Sequence, residues 1–175
     1  MTVLAERPGV GEFAPYYEKY IGRVPDGDVV ELLERQMAEA AALLRAVAAE
    51  KADFRYAPGK WSVKEVVGHV SDAERIFSYR ALRIGRGDQT PLASFDENVY
   101  AAASNAGERT LESLVGEFED VRRATVSLFR SFGEEELRRT GTASDNPVSV
   151  RALAYILHGH VDHHLAILRE RYLAH

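Results

Sequence analysis

Four of the six histidines in this chain lie within seven residues near its C-terminus. These clustered residues are His158, His160, His163 and His164. His160 and His164 are four positions apart, so on a helix both project from one face, about one turn from each other. That face also carries leucines, which indicates that it points into the protein. A buried imidazole must be hydrogen-bonded, bear a desolvation cost or bind a metal ion, and metal binding is our leading interpretation.

Helical geometry also places the other two histidines of the cluster. At about 100° per residue, His163 falls roughly 60° from His160, at the edge of the inward face, and His158 falls roughly 160° away. We therefore expect His163 to lie at the rim of a site or to support a ligand from behind. His158 is expected to face solvent or a subunit contact.

A metal site also needs a donor from a second element, because one face of a straight helix cannot surround an ion. Catalytic zinc sites typically combine three protein ligands with one open position. His69 lies on the apolar stripe of an earlier predicted helix and is the obvious third donor. The alternative is that His69 is a hydrogen-bonded core residue, the commoner role of a lone histidine on an apolar face. Three inward imidazoles favour the metal, since each would otherwise need a partner in a dry core.

No other catalytic motif competes with this arrangement. The sequence has no Gly-rich phosphate loop and no Gly-x-Ser-x-Gly elbow, and residues 160–164 read His-Val-Asp-His-His rather than His-Glu-x-x-His. Trp61 is interpreted as a packing residue rather than a substrate-stacking one. A carboxylate that acts as a base must come from elsewhere, and the weak candidates are Asp72, Glu74, Asp96 and Glu97.

Composition and length limit the class of protein. The 175 residues suit a single domain spanning residues 1–175, with 46% hydrophobic and 28% charged residues. A net charge of -5 argues against a partner nucleic acid. The apolar runs are too short to span a membrane and the N-terminus lacks a signal-peptide core, so we expect a cytoplasmic protein with no membrane partner. Because cysteine is absent, nitrogen and oxygen must hold any metal.

Four amphipathic helices account for most of the chain. The first three open on residues suited to capping a helix N-terminus, which are Asp28, Ser62 and Thr110, and the fourth starts near Ser149. Apolar residues recur at spacings of three and four after each of them. Such helices, with no strand-like alternation between them, predict an all-α four-helix bundle with a long crossover between the second and third helices.

The connections between these helices are predicted to be irregular. Residues 1–24 form an arm with prolines, glycines and four aromatics, which should pack across the body of the bundle. Residues 85–110 form the long crossover, with a helical turn at 99–103. Residues 141–147 are a loop by composition.

Three segments resemble the DinB-like (DinB/YfiT) superfamily of metal-binding four-helix bundles. Residues 61–75, which include His69, resemble the histidine segment of its second helix, and residues 160–168 resemble the His-x-x-x-His of its last helix. Residues 95–100, Phe-Asp-Glu-Asn-Val-Tyr, resemble the crossover of one branch. The resemblance extends from about residue 27 to residue 172, and the order and helical setting of these short motifs give it its specificity.

The resemblance implies that His69, His160 and His164 are the three ligands of a divalent ion, nickel or zinc, with water completing the shell. It also implies a homodimer that acts on a small-molecule substrate. Characterised relatives include transferases and isomerases that use low-molecular-weight thiols, and others are described as metal-dependent hydrolases.

Three functional hypotheses follow from this comparison. In the first, the open coordination position binds a small thiol as thiolate and directs it at an electrophile, which is transferase-type chemistry. In the second, the metal lowers the pKa of a bound water for hydrolysis. In the third, the protein is a non-catalytic stress-response or binding module. The absence of cysteine suits an external thiol and a metal-activated water equally well.

Overall fold

Four long helices dominate the chain, and the structure confirms the four-helix bundle. The computed structural model describes residue 4 and residues 6–174, so part of the predicted N-terminal arm lies outside the described residues. In chain order the elements are α1 (Glu18–Ile21), α2 (Val29–Arg45), α3 (Val63–Gly85), α4 (Glu97–Ala103), α5 (Leu111–Arg130), α6 (Glu134–Arg138), β1 (Thr140–Ala143), β2 (Asn146–Ser149) and α7 (Val150–Ile167). The bundle consists of α2, α3, α5 and α7.

The four bundle helices begin where their caps predict. The Asp28 side chain accepts a hydrogen bond from the Val30 amide, and Ser62 forms a complete capping box with Glu65. The side chains of Thr110 and Ser149 likewise accept from backbone amides in the first turns of α5 and α7. Each cap satisfies an amide that has no partner within its helix, which fixes where the helix starts.

The order of the helices in space differs from their order in the chain. Both α2 and α3 pack mainly against α5 and α7, so α2 and α3 occupy opposite corners of the bundle, as do α5 and α7. The long crossover instead joins α3 to α5, which are neighbours in the bundle. The predicted helical turn in that crossover is present as α4, which Asp96 caps.

Helix α7 is the most deeply buried element. Every residue from 152 to 161 is buried, because α1, α2 and α3 all pack against this helix. Residues 152–157 read Ala-Leu-Ala-Tyr-Ile-Leu, which leaves no polar face. A helix that is apolar all round is typical of a core position.

The expectation that His158 faces solvent or a subunit is therefore wrong. His158 is only 6% exposed, and its carbonyl accepts a hydrogen bond of 2.9 Å from Gln36 Nε2. Its Nδ1 atom is buried with no hydrogen-bond partner in the described structure. His158 does lie on the side of α7 opposite the site, as its helical angle predicts, but α2 covers that side.

A short hairpin replaces the predicted loop before α7, so the expectation of no strands is also wrong. Strands β1 and β2 pair antiparallel, and Ser144 and Asp145 form the turn with φ of 52° and 61°. Positive φ at both central residues is the type I′ geometry that suits a two-residue hairpin. Strands of four residues are too short to show a clear alternation of apolar and polar residues in the sequence. The crossover extends the hairpin through Leu92, whose amide donates to the Thr142 carbonyl.

The N-terminal segment is more regular than predicted. Residues 15–17 form a 3-10 turn that leads into α1, and α1 packs against α7. A Cβ atom at Gly159 would lie 2.0 Å from the carbonyl oxygen of Tyr20, so only glycine at that position allows this approach. None of the described helices is long and apolar enough to cross a bilayer.

A buried ion pair connects the interior of the bundle. Arg122 on α5 donates to both carboxylate oxygens of Glu74 on α3, at 2.6 and 2.8 Å, and both side chains are almost fully buried. Arg122 also donates to the Leu33 carbonyl and to Gln36 Oε1 on α2, each at 3.0 Å. Since Gln36 bonds the His158 carbonyl, the network reaches all four bundle helices.

We expect Glu74→Ala to lower the free energy of unfolding by about 3–5 kcal/mol, because it leaves the Arg122 guanidinium buried without a counter-charge. Urea unfolding followed by circular dichroism measures this loss.

The matched control is Glu34→Ala, which breaks the Arg130–Glu34 ion pair between side chains that are 37% and 50% exposed. Exposed pairs contribute at most about 1 kcal/mol, so the control should lose far less. Equal losses in the two variants would contradict the importance of the buried pair.

Candidate metal centre

The structure brings the three predicted ligands together. His69 on α3 and His160 on α7 approach through their Nε2 atoms, which are 3.1 Å apart. The Nε2 atoms of His160 and His164 are 3.2 Å apart. Ligating atoms of the three residues all lie within 4.8 Å of one another. Among the described residues, they are the one cluster of three or more histidine or carboxylate side chains that could hold a metal.

Hydrogen bonding alone does not account for this arrangement. The Nε2 atom of a neutral imidazole carries either one proton or one lone pair, so that of His160 can form one good hydrogen bond but has two close neighbours. Nitrogens bound tetrahedrally at about 2.0–2.1 Å from an ion lie about 3.4 Å apart. The observed separations are close to that value, and all three donors are of the type that nickel and zinc accept.

Burial keeps these imidazoles in the form that binds metal. Desolvation lowers the pKa of His69 to about 4 and that of His164 to about 3. The pKa of His160 lies well below its usual range, first because of burial and then because of repulsion from its histidine neighbours. All three rings are therefore neutral near pH 7, each with a lone pair free for coordination.

The three histidines form one wall of a cavity of about 290 Å³. Aromatic side chains dominate the rest of its lining, and they are Tyr16, Tyr17, Tyr20, Trp61, Phe77 and Phe95. Charged side chains are few: Lys19, Arg80 and Glu97. A cavity of this size and lining suits a small organic molecule.

Part of the aromatic wall comes from residues 16–20, which the sequence analysis did not assign to the site. The Tyr20 ring lies 5.5 Å from the ring of His160 and 5.4 Å from that of His163, and burial raises the pKa of its hydroxyl. We predicted that these tyrosines pack across the bundle, but their place beside the ligands depends on how α1 docks. The sequence carries no spacing signal for that contact.

Two further side chains extend the site. His163 is half-buried, lines the cavity and lies with its ring 5.2 Å from that of His164, as predicted for a residue at the rim. The Trp61 ring lies 4.7 Å from the ring of His69 and also faces the cavity. The interpretation of Trp61 as a packing residue alone was therefore incomplete.

One of the four candidate carboxylates lies on the cavity wall. Glu97 lines the cavity from α4 and is exposed. Glu74 is occupied by Arg122, and Asp96 caps α4. Asp72 lies beside Arg75 on α3, and burial raises its pKa.

Comparison with known proteins identifies relatives over nearly the whole chain. A sequence model of the DinB superfamily matches residues 32–168. The curated protein "Putative metal-dependent hydrolase YfiT" of Bacillus subtilis (strain 168) is 21% identical over 166 residues, which are 92% of this chain and 90% of the relative.

Solved structures share the fold. The structure of YfiT from Bacillus subtilis, described as an unusual four-helix bundle topology, aligns with a TM-score of 0.72 at 16% identity, over 98% of this chain and 97% of that one. A mycothiol-dependent maleylpyruvate isomerase aligns with a TM-score of 0.65 at 14% identity, over 94% of this chain and 62% of that one. The DinB-like protein YjoA of Bacillus subtilis gives 0.58 at 19% identity, over 84% and 92% of the two chains. At these identities the likeness establishes the fold alone.

The buried histidines predict a pH dependence of stability for the metal-free protein. Their folded pKa values lie below the unfolded value of about 6.5, so below that pH the unfolded chain binds protons that the folded chain cannot. Stability should fall as the pH drops from about 6.5 to 5, by up to about 1.4 kcal/mol per pH unit for each such histidine. Urea unfolding in the presence of a chelator measures the slope.

His69→Gln is the control, because glutamine does not titrate in this range. Its slope between about pH 6.5 and 5 should be shallower than that of the wild type by the contribution of one histidine. An unchanged slope would mean that His69 already carries a proton in the folded protein.

Proposed function

Because the chain belongs to the DinB superfamily, we propose that it is a metal-dependent enzyme acting on a small molecule in the cavity beside His69, His160 and His164. The observation that carries the proposal is the convergence of three neutral imidazoles, 3.1 and 3.2 Å apart, on one wall of an aromatic cavity. Neutral nitrogen donors without a carboxylate leave most of the ion's charge available to a substrate.

The three histidines would hold a divalent ion, nickel or zinc, at the wall of the cavity. Such an ion acts as a Lewis acid, which can stabilise a thiolate or lower the pKa of a water molecule. The chain's own residues position the reactants. The ring of Trp61 packs against His69, and the rings of Tyr20 and Phe77 pack against His160, which limits the access of water to these two imidazoles.

Thiol-dependent transfer is the chemistry we favour. Among the described residues, the cluster that could hold a metal contains histidines and no carboxylate that could take a proton from water. A thiol, with a pKa near 8.5, needs less help from a base than water does. Lys19 lies 3.8 Å from the centre of the Tyr16 ring at the cavity wall and lowers the pKa of that phenol. The fold shared with a mycothiol-dependent isomerase is consistent with this choice.

Hydrolysis is the second candidate, and Glu97 is the observation that favours it. This carboxylate lines the cavity and could accept a proton from water, as the name of the relative YfiT would suggest. We further propose that residues 1–175 fold as one domain, as the chain length suggests, and that the protein is cytoplasmic. Its resemblance to the family implies a homodimer.

We expect wild-type protein, purified and dialysed against zinc or nickel, to retain about one ion per chain. The His160→Ala/His164→Ala variant should retain less than about a tenth of that, because two of three ligands are lost. Elemental analysis by mass spectrometry measures the content.

The control variant His158→Ala/His163→Ala removes the same number of imidazoles from the same helix. It should keep its metal, with circular dichroism confirming that both variants fold. If the wild type and the His160→Ala/His164→Ala variant hold the same sub-stoichiometric amount of metal, the proposed metal site is wrong. The remaining hypothesis would then be a non-catalytic binding module.

A panel of low-molecular-weight thiols offered with a generic electrophile separates the two chemistries. Transferase chemistry predicts metal-dependent turnover that requires the thiol and survives Glu97→Gln. Hydrolysis predicts ester cleavage without thiol and a loss of about 10²-fold or more in Glu97→Gln, the usual contribution of a general base. Chromatographic detection of the conjugate and of the hydrolysed product distinguishes these outcomes.

A further inference from the structure

Two arginines are buried among the described residues, and their electrostatic surroundings differ. Arg122 is 0% exposed and bonds both oxygens of Glu74. Arg80 is 3% exposed, and its described hydrogen bonds run from Nη2 to the Ala93 carbonyl at 2.9 Å and to Ser144 Oγ at 3.0 Å. No ion pair in the described part of the chain includes Arg80.

The contacts of Arg80 satisfy some of its donors without compensating its charge. Guanidinium stays protonated under all physiological conditions and has five N–H donors in a planar fork. The two acceptors of Nη2 are neutral, and so is the Phe77 ring, whose centre lies 5.7 Å from the guanidinium carbon. A cation buried among neutral oxygens is costly unless an anion joins it. The buried guanidinium of Arg80 therefore has an unpaired positive charge that suits an anionic group.

Arg80 lines the same cavity as the three histidines. It lies eleven residues after His69 on α3, and Ala73 and Phe77 between them also face the cavity, so all four share one side of the helix. Eleven residues span about 16 Å of helix axis. The Phe77 ring is close to both groups, with its centre 5.7 Å from the guanidinium carbon of Arg80 and 5.9 Å from the centre of the His160 ring, and Tyr17 packs against it edge to face at 6.1 Å.

We propose that Arg80 binds a carboxylate of the substrate and so orients its other end toward the three histidines. This inference rests on the proposed function, since it assumes that the cavity is where the substrate lies. The ligand is an elongated organic acid with an apolar or unsaturated middle that packs on the aromatic walls. A planar carboxylate matches the fork and charge of one guanidinium, whereas a phosphate dianion would keep one charge uncompensated.

Cinnamate and cinnamamide are suitable probes, because they share shape and length and differ in charge. Isothermal titration of the wild-type protein should show cinnamate binding about tenfold or more tightly than cinnamamide, as expected for a charged hydrogen-bonded pair out of water. In Arg80→Gln the two probes should bind equally. A wild-type protein without this preference overturns the proposal.

Arg83→Gln is the matched control, since it removes the same charge from the same helix. Arg83 bonds Asp88 and Tyr79 on the outside of the bundle and does not line the cavity. It should keep the wild-type preference. Lys19→Gln tests the other cation at the cavity. If Lys19→Gln loses the preference for cinnamate and Arg80→Gln retains it, Lys19 binds the carboxylate and the assignment to Arg80 is wrong.

Repeating the titration with chelator-treated protein separates this proposal from the metal site. A carboxylate preference that survives metal removal and disappears in Arg80→Gln supports Arg80 even if the metal proposal fails. A preference that is lost with the metal assigns the anion to the ion instead, and a preference that Arg80→Gln retains overturns the assignment to Arg80. If Arg80→Gln does not fold, Arg80→Lys keeps the charge without the fork and should bind cinnamate about tenfold more weakly, and unchanged affinity contradicts the proposal.

Discussion

The buried Arg122–Glu74 pair is the contact on which the arrangement of the bundle depends. Apolar side chains alone tolerate rotation and sliding of helices, because the hydrophobic effect has no direction. A bidentate ion pair has direction, and breaking it in a dry interior leaves a charge without solvent. The pair joins α3 to α5, and Gln36 continues the network to α2 and α7. One set of directional bonds therefore fixes the rotation of all four bundle helices.

That constraint extends to the candidate metal centre. Glu74 lies five residues after His69 on α3, and the Gln36 bond holds the carbonyl of His158, two residues before His160 on α7. Fixing these two points sets which faces of α3 and α7 meet. The charge of Arg122 also contributes to lowering the pKa of His158, after burial, and that of His160, after burial and the neighbouring histidines. The network thus both positions the histidines of the candidate site and helps to keep the imidazole of His160 neutral.

Local features of the sequence predicted the fold and the ligand cluster, and long-range contacts limited the rest. Caps at Asp28, Ser62, Thr110 and Ser149 act within one turn, so they could be identified from neighbouring residues. The pairing of His160 with His164 depends on helical periodicity alone. The environment of His158 depends on α2, which is more than a hundred residues away in the chain, and helical angle cannot show that a distant element covers a face.

The cavity was the least predictable part, because it exists only after α1 docks on α7. Docking requires the absence of a side chain at Gly159, where the Tyr20 carbonyl approaches the helix. The glycine that separates His158 from His160 therefore has a role that the spacing of the histidines does not reveal. It admits the segment whose tyrosines face the imidazoles across the cavity. Helical periodicity thus determines which atoms can bind a metal, whereas one close backbone contact determines what surrounds the space next to it.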